Sequence, residues 1–267
     1  MSIVRCISRT PLSHIDTLAL CPRSSADRAL PCGGRGRRFN SCRGRTLENS
    51  KPIPQTWGMM TMKLYFVRHG ESEANRQNLH QGKEGPLSAH GEKQAHTLAR
   101  RFSKIPIDFI LSSSYERARQ TAEIINTITQ KPIEFTNLLG EWRNPSEIVG
   151  KNHDDPVSIK IRKLQYINYR QENWKYSDEE TFNDFKKRVL DVLQLVSSLE
   201  KENVLLITHG AFVSFIISVM LFGENMTPEE QEKVASFANM HNTGITVCES
   251  SPRGWKLITW NDHAHLG

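Results

Sequence analysis

Two histidines at the ends of apolar runs are the residues of this 267-residue chain whose setting suits chemistry. Leu64-Tyr65-Phe66-Val67 runs into Arg68-His69-Gly70, and Val204-Leu205-Leu206-Ile207 runs into Thr208-His209-Gly210. Four apolar residues between polar flanks suit a buried strand, and the following glycine lets the backbone turn sharply and approach a ligand closely. An imidazole with an ordinary pKa of about 6.5 is a usable nucleophile at neutral pH, and it splits phosphoryl transfer into two steps through a covalent intermediate. Arg68 and Arg117 add planar, permanently charged forks that match phosphoryl oxygens. A phosphoryl transition state spreads negative charge over its equatorial oxygens, so cations around a nucleophile suit the task.

The elements that must position these side chains are strands alternating with helices. After the first histidine, a polar loop from Arg76 to Gly85 carries Gln81-Gly82, and Ser88 is a candidate N-cap for a helix with Ala95, Leu98, Ala99 and Phe102 at helical spacing. Ile107 to Leu111 reads as a short buried strand, Tyr115 opens the next helix, and Ile133 to Phe135 reads as another strand. Residues 142–178 are polar and aromatic by turns, with a helix from Asp155 to Tyr169, and read as a cap-like insertion over the pocket. Phe182, Phe185, Val189, Val192, Leu193 and Val196 mark an amphipathic helix before the second histidine strand. Gly244 to Cys248 and Trp255 to Trp260 form a hairpin around Ser251-Pro252-Arg253-Gly254. The pattern predicts an α/β three-layer sandwich with a central, mostly parallel sheet flanked by helices, its two histidines at one carboxyl edge.

Charge is uneven along the chain. Residues 1–58 hold ten Lys/Arg and three Asp/Glu, so of the 35 and 29 in the whole chain, 25 and 26 fall beyond them. The basic balance belongs to this leader, and residues 59–267 give no reason to expect nucleic-acid binding. Cys6, Cys21, Cys32 and Cys42 also lie in the leader, leaving Cys248 alone in the remainder, which suits a reducing, cytoplasmic setting without disulfides. Cys32 and Cys42 lack the partners of a zinc site. No apolar run reaches a bilayer's span; the longest, Ala211 to Phe222, suits a buried helix, so no membrane partner is expected. The leader itself reads as a transit peptide, a mobile basic tail, or the in-frame translation of a tRNA gene. On the last reading Ser24 to Ala29 is the D-arm and Arg38 to Ser41 the T-loop, and translation begins at Met59, Met60 or Met62.

Leu64 to Asn75, with Gln81-Gly82, Pro86-Leu87-Ser88, Gly91 and Gln94-Ala95, resembles the opening of the histidine phosphatase superfamily, also called the phosphoglycerate mutase-like family. Ser112 to Ala122 is similar to its second signature and Ile207 to Gly210 to its third, and the resemblance spans about residues 62–265. It implies His69 as the phosphorylated nucleophile, Arg68 and Arg117 as phosphoryl ligands, and His209 as the residue that completes the pocket. It further implies Asn75, Gln81, Gly82 and Gly210 on the substrate side, with Asn242-Thr243 as a late polar pair beside the second histidine. Glu141 matches the loop carboxylate that protonates the leaving oxygen and later activates water, with Glu134 and Glu147 as nearby alternatives. No cofactor and no metal are implied.

Competing readings weigh on single residues. Arg119 sits on another face of its helix from Arg117 and reads as a solvated charge. His263 and His265 fit a C-terminal packing or lid role better than a metal site, and His80, His90, His96, His153 and His241 have no spacing that demands a role. Trp142, Trp174 and Tyr176 suit packing as well as substrate stacking. The expected function is metal-independent hydrolysis of a small phosphorylated metabolite through a phosphohistidine. A cofactor-dependent phosphoglycerate mutase and a phospho-ligand binding pseudoenzyme are the alternatives. Trp142-Arg143-Asn144-Pro145 after Glu141 departs from the mutase pattern. The sequence is silent on oligomeric state.

Overall fold

The computed structural model describes residues 61–267; the leader, its cysteines and the starts at Met59 and Met60 lie outside the described residues. In chain order the elements are β1 (Lys63–Arg68), α1 (Glu73–Arg76), α2 (Ala89–Phe102), β2 (Phe109–Ser113), α3 (Glu116–Thr129), β3 (Ile133–Thr136) and α4 (Pro156–Asn168). They continue with α5 (Phe182–Ser197), β4 (Asn203–Thr208), α6 (Gly210–Phe222), α7 (Pro228–Phe237), β5 (Ile245–Ser251) and β6 (Gly254–Asp262).

Strand alternation divides the core into two layers. Leu64, Phe66, Phe109, Leu111, Val204 and Leu206 meet α5 and α6 through Phe185, Val189, Phe212 and Phe215. Tyr65, Val67, Ile110, Leu205 and Ile207 meet α2 and α3 through Leu98, Phe102, Ala118 and Ile125. Strands apolar on both faces need a helix layer on each side, and each fully buried aliphatic or Phe side chain contributes about 1.5–3 kcal/mol. The six-stranded sheet has the order β3-β2-β4-β1-β5-β6. The first four strands are parallel; β5 runs antiparallel to β1, and β6 antiparallel to β5. This is the expected three-layer sandwich.

Local signals hold where a cap or a breaker is present. Ser88 caps α2 by accepting from Gly91 N, and Asp155 caps α4 by accepting from Val157 N at 2.8 Å with Pro156 in the first turn. Two expectations shift. The second strand covers Phe109–Ser113 rather than Ile107 to Leu111, because Ser112 and Ser113 pair with β3 and β4 despite their hydroxyls. Tyr115 precedes α3 as its N-cap and makes no side-chain capping bond. Helix α7, packed on α6, has a polar sequence that hid it, although Thr227 and Glu230 form a capping box.

Candidate active site

Register brings the two histidines together. Arg68 pairs with Thr208 across the parallel β1 and β4 ladder, and His69 N donates to Thr208 O at 2.9 Å. His69 and His209 therefore leave neighbouring strands at the same level, with ring centroids 5.0 Å apart and planes at 61°. Both are buried.

The tautomer of His69 follows from its partners. Nδ1 lies 2.7 Å from Gly70 O, an atom that only accepts, so Nδ1 carries the proton. Nε2 keeps its lone pair and accepts from Arg117 Nε at 3.0 Å. Burial, then the Arg117 and Arg68 charges, holds the imidazole well below its usual pKa. Burial and the same guanidinium groups depress His209 likewise. His209 Nε2 meets Ser113 Oγ at 2.9 Å, and Ser113 Oγ also accepts from Tyr115 N at 3.2 Å.

The two arginines reach the histidines from different elements. Arg68, at the end of β1, donates to Met240 O, while Arg117 in the first turn of α3 donates from Nη1 to Gly82 O at 2.8 Å. Arg68 Nε and His209 Nδ1 are buried without a partner among the described residues. A buried polar atom left without a partner carries a desolvation cost, which a ligand that hydrogen-bonds to it removes. Gly210 opens α6 beside Arg68, where a Cβ would stand 3.6 Å from Arg68 Nε.

Glu141 sits at the mouth of α6. Its carboxylate accepts from Trp142 N at 2.9 Å and from Ala211 N at 3.3 Å, and its charge acts on both Arg68 and Arg117. Glu134 is exposed on edge strand β3, and Glu147 accepts from Tyr176 Oη at 3.2 Å, so neither joins the constellation. Gly82 contributes its carbonyl. Gln81 and Asn75 converge on Ser72: Ser72 Oγ donates to Gln81 Oε1 at 2.7 Å, and Asn75 Oδ1 accepts from Ser72 N at 3.3 Å, within the capping box of α1. Asn242 Nδ2 donates to His69 O at 3.0 Å, and Thr243 N donates to Arg68 O at 2.9 Å, so the late polar pair holds the backbone of the first histidine strand.

Several positioning groups escaped the sequence. Arg188 on α5 donates to Leu138 O and Gly140 O at 2.7 Å each and to Glu141 O at 3.3 Å, clamping the loop that carries Glu141, while Glu180 neutralises it at 2.8 Å. One signal was available: three residues after Phe185, a basic side chain lies beside the apolar stripe. Thr121 donates to Arg117 O at 2.7 Å and accepts from Gly70 N at 3.1 Å, joining the segments that carry Arg117 and His69. Gly70 is not free to approach a ligand as its position after the histidine suggested; a Cβ there would lie 2.6 Å from Gly91 O, so its close neighbour is the start of α2.

Arg119, His263 and His265 stay outside. Arg119 pairs with Glu116 and Glu123 along its own helix. His265 Nε2 meets Thr243 Oγ1 at 3.1 Å and His263 stacks on His241 at 4.1 Å, which are packing contacts. Among the described residues no three His, Cys, Asp or Glu side chains gather as a metal site, and no helix is long and apolar enough to cross a membrane.

Residues 64–263 match the family model of the histidine phosphatase superfamily, branch 1. The chain belongs to that superfamily. A Hydrogenobacter thermophilus relative named "Putative phosphoserine phosphatase 2" is 30% identical over 206 residues, covering 76% of this chain and 97% of its own. "Probable phosphoglycerate mutase GpmB" of Escherichia coli is 28% identical over 211 residues, covering 77% and 95%. Among solved structures, Bacillus stearothermophilus YhfR superposes with a TM-score of 0.68 at 26% identity, covering 77% of this chain and 100% of its own. As a histidine phosphatase the chain is an enzyme of the phosphomonoester hydrolase class.

Proposed function

We propose that the protein hydrolyses a small phosphate monoester without a metal, through a phosphohistidine on His69. The observation that carries the reading is the fixed neutral tautomer of His69, whose Nε2 lone pair faces a site lined by Arg117, Arg68 and His209. In the first step Nε2 attacks phosphorus and the ester P–O bond breaks. Glu141 gives its proton to the leaving oxygen. In the second step Glu141 takes a proton from water, the hydroxide attacks phosphorus, and the P–N bond breaks to release phosphate and restore the lone pair. Arg68 Nε and His209 Nδ1 are the buried donors without partners, and they match equatorial oxygens on which charge builds. For His209 the proton sits on Nδ1 when Ser113 Oγ, already an acceptor for Tyr115 N, donates to Nε2. Guanidinium groups supply the positive charge, so the scheme needs no metal ion.

Hydrolysis fits better than mutase transfer because the Arg143 guanidinium is already engaged: its Nε donates to Asp178 O at 3.2 Å. A second phosphate held behind Glu141 would need such a cation free. The catalytic unit on this reading is residues 59–267, with 142–178 as its cap and a small phosphorylated metabolite as substrate. The Asn75, Gln81 and Gly82 segment borders the substrate side.

Replacing Glu141 tests the assignment of the acid. Glu141→Gln should slow alkyl phosphates by roughly 100-fold or more and p-nitrophenyl phosphate far less, since a nitrophenolate leaves without a proton. Equal losses on both substrates would show that Glu141 is not the acid.

A further inference from the structure

Beyond the phosphoryl site lies a half-open cavity of about 500 Å³, walled by α4 and the segment after it, the start of α6, and α7. That size is within the ~300–1,000 Å³ of pockets that enclose small molecules. Six aromatic side chains line it: Trp142, Tyr166, Tyr169, Trp174, Phe182 and Phe215. Arg68, His69, Arg117 and His209 do not. The cavity instead begins beside Glu141, because Trp142 and Ala211, whose amides hold the Glu141 carboxylate, both belong to its wall. An alcohol whose oxygen faces Glu141 therefore has this space ahead of it.

The polar groups of the wall restrict what can enter. Arg162 already contacts His153 Nδ1 at 2.9 Å. Glu179 accepts from the backbone amides of Tyr176 and Ser177, and Glu180 is paired with Arg188. With Glu232 there are three carboxylates in the wall against that one engaged arginine. A second phosphate or carboxylate on the alcohol would meet like charge there. Gln231 Oε1 accepts from Tyr169 Oη, which leaves its amide N–H groups as donors for a heteroatom, while the Gln165 amide nitrogen faces Glu179 Oε1 at 3.5 Å. Tyr166 leaves 74% of its surface to solvent and Trp174 is half-buried, so both rings have faces that a flat ligand can cover.

We propose that this cavity holds the alcohol half of the substrate, and that this alcohol carries a planar aromatic ring and no negative charge. The inference rests on the phosphatase reading above.

The test uses alkyl esters of matched leaving ability: phenethyl phosphate, 2-(indol-3-yl)ethyl phosphate and adenosine 5′-monophosphate against glycerol 3-phosphate and 3-phosphoglycerate. The ring esters should show kcat/KM higher by about tenfold or more, and Trp174→Ala should reduce that preference by about tenfold, mainly through KM. Turnover of all five esters at similar kcat/KM, or a preference for 3-phosphoglycerate, would overturn the proposal while leaving the phosphatase reading intact. Absence of turnover on every ester would contradict the phosphatase reading instead. A second arm then decides the cavity: in saturation-transfer NMR the ring protons of free adenosine and 2-phenylethanol should receive saturation from the protein, and lose most of it with Trp174→Ala. No transfer to either alcohol, or transfer unchanged by the substitution, would overturn the proposal.

Discussion

At the scale of single residues, the proposed chemistry depends on keeping two buried imidazoles neutral. Burial and the Arg117 and Arg68 charges push His69 below its usual value, and burial, Arg117 and His69 act on His209 in the same direction. Below pH 6.5 the unfolded chain therefore binds protons that the folded chain does not, and stability falls as pH falls, until the folded-state pKa is reached. Each such histidine contributes a slope that rises toward about 1.4 kcal/mol per pH unit as the pH drops below 6.5. Urea titrations between pH 6.5 and 5 should show the slope of His69→Gln smaller than wild type by roughly that amount; identical slopes would mean that His69 binds its proton in the fold as readily as in the unfolded chain. The histidines, Arg68 and Arg117 were legible in the sequence because strand ends and signature spacing mark them. Arg188 and Ser113 were not, because their roles exist only once distant loops are packed against them. Asn75 and Gln81 were placed on the substrate side, and the fold adds that both first serve the Ser72 network at the start of α1.

At the scale of elements, the site is held by a seam between the segment after β1 and the start of α2. A Cβ on Gly91 would fall 1.9 Å from Glu71 O, and backbone cannot yield there as a flexible side chain can. Ser88 Oγ donates to Glu71 Oε1 at 2.7 Å and Gln94 Oε1 accepts from Glu71 N at 2.9 Å across the same seam. Gly91→Ala should thus lower stability by about 1–3 kcal/mol and reduce kcat by displacing His69. Chemical denaturation with parallel kinetics checks this, and an unchanged midpoint with unchanged kcat would show that the seam is slack. Capped, amphipathic elements such as α2, α4 and α5 could be read from sequence because local chemistry and burial pattern agree there. The end of β2 could not, since Ser112 and Ser113 are hydroxyl residues in a buried strand, and α7 could not, since its polar surface gives a weak periodic signal.

At the scale of the whole molecule, a sheet with helices on both faces delivers the two histidines, and helices α3 and α6 bring a guanidinium and an N-terminus; on the proposed reading the insertion borders the leaving-group side. The layered fold was foreseeable from strands and helices alternating along the chain, whereas the separate aromatic cavity walled by α4, α6 and α7 was not, because residues 142–178 follow no single period. All these parts converge on one atom, His69 Nε2, and so does the central claim. That claim is tested most directly by quenching the enzyme in mid-turnover with a phosphorus-labelled substrate and locating the label by peptide mapping. The account predicts an acid-labile, base-stable phosphoryl group on His69 that is absent from His69→Ala. A label that persists in His69→Ala, or that maps to His209, would contradict it.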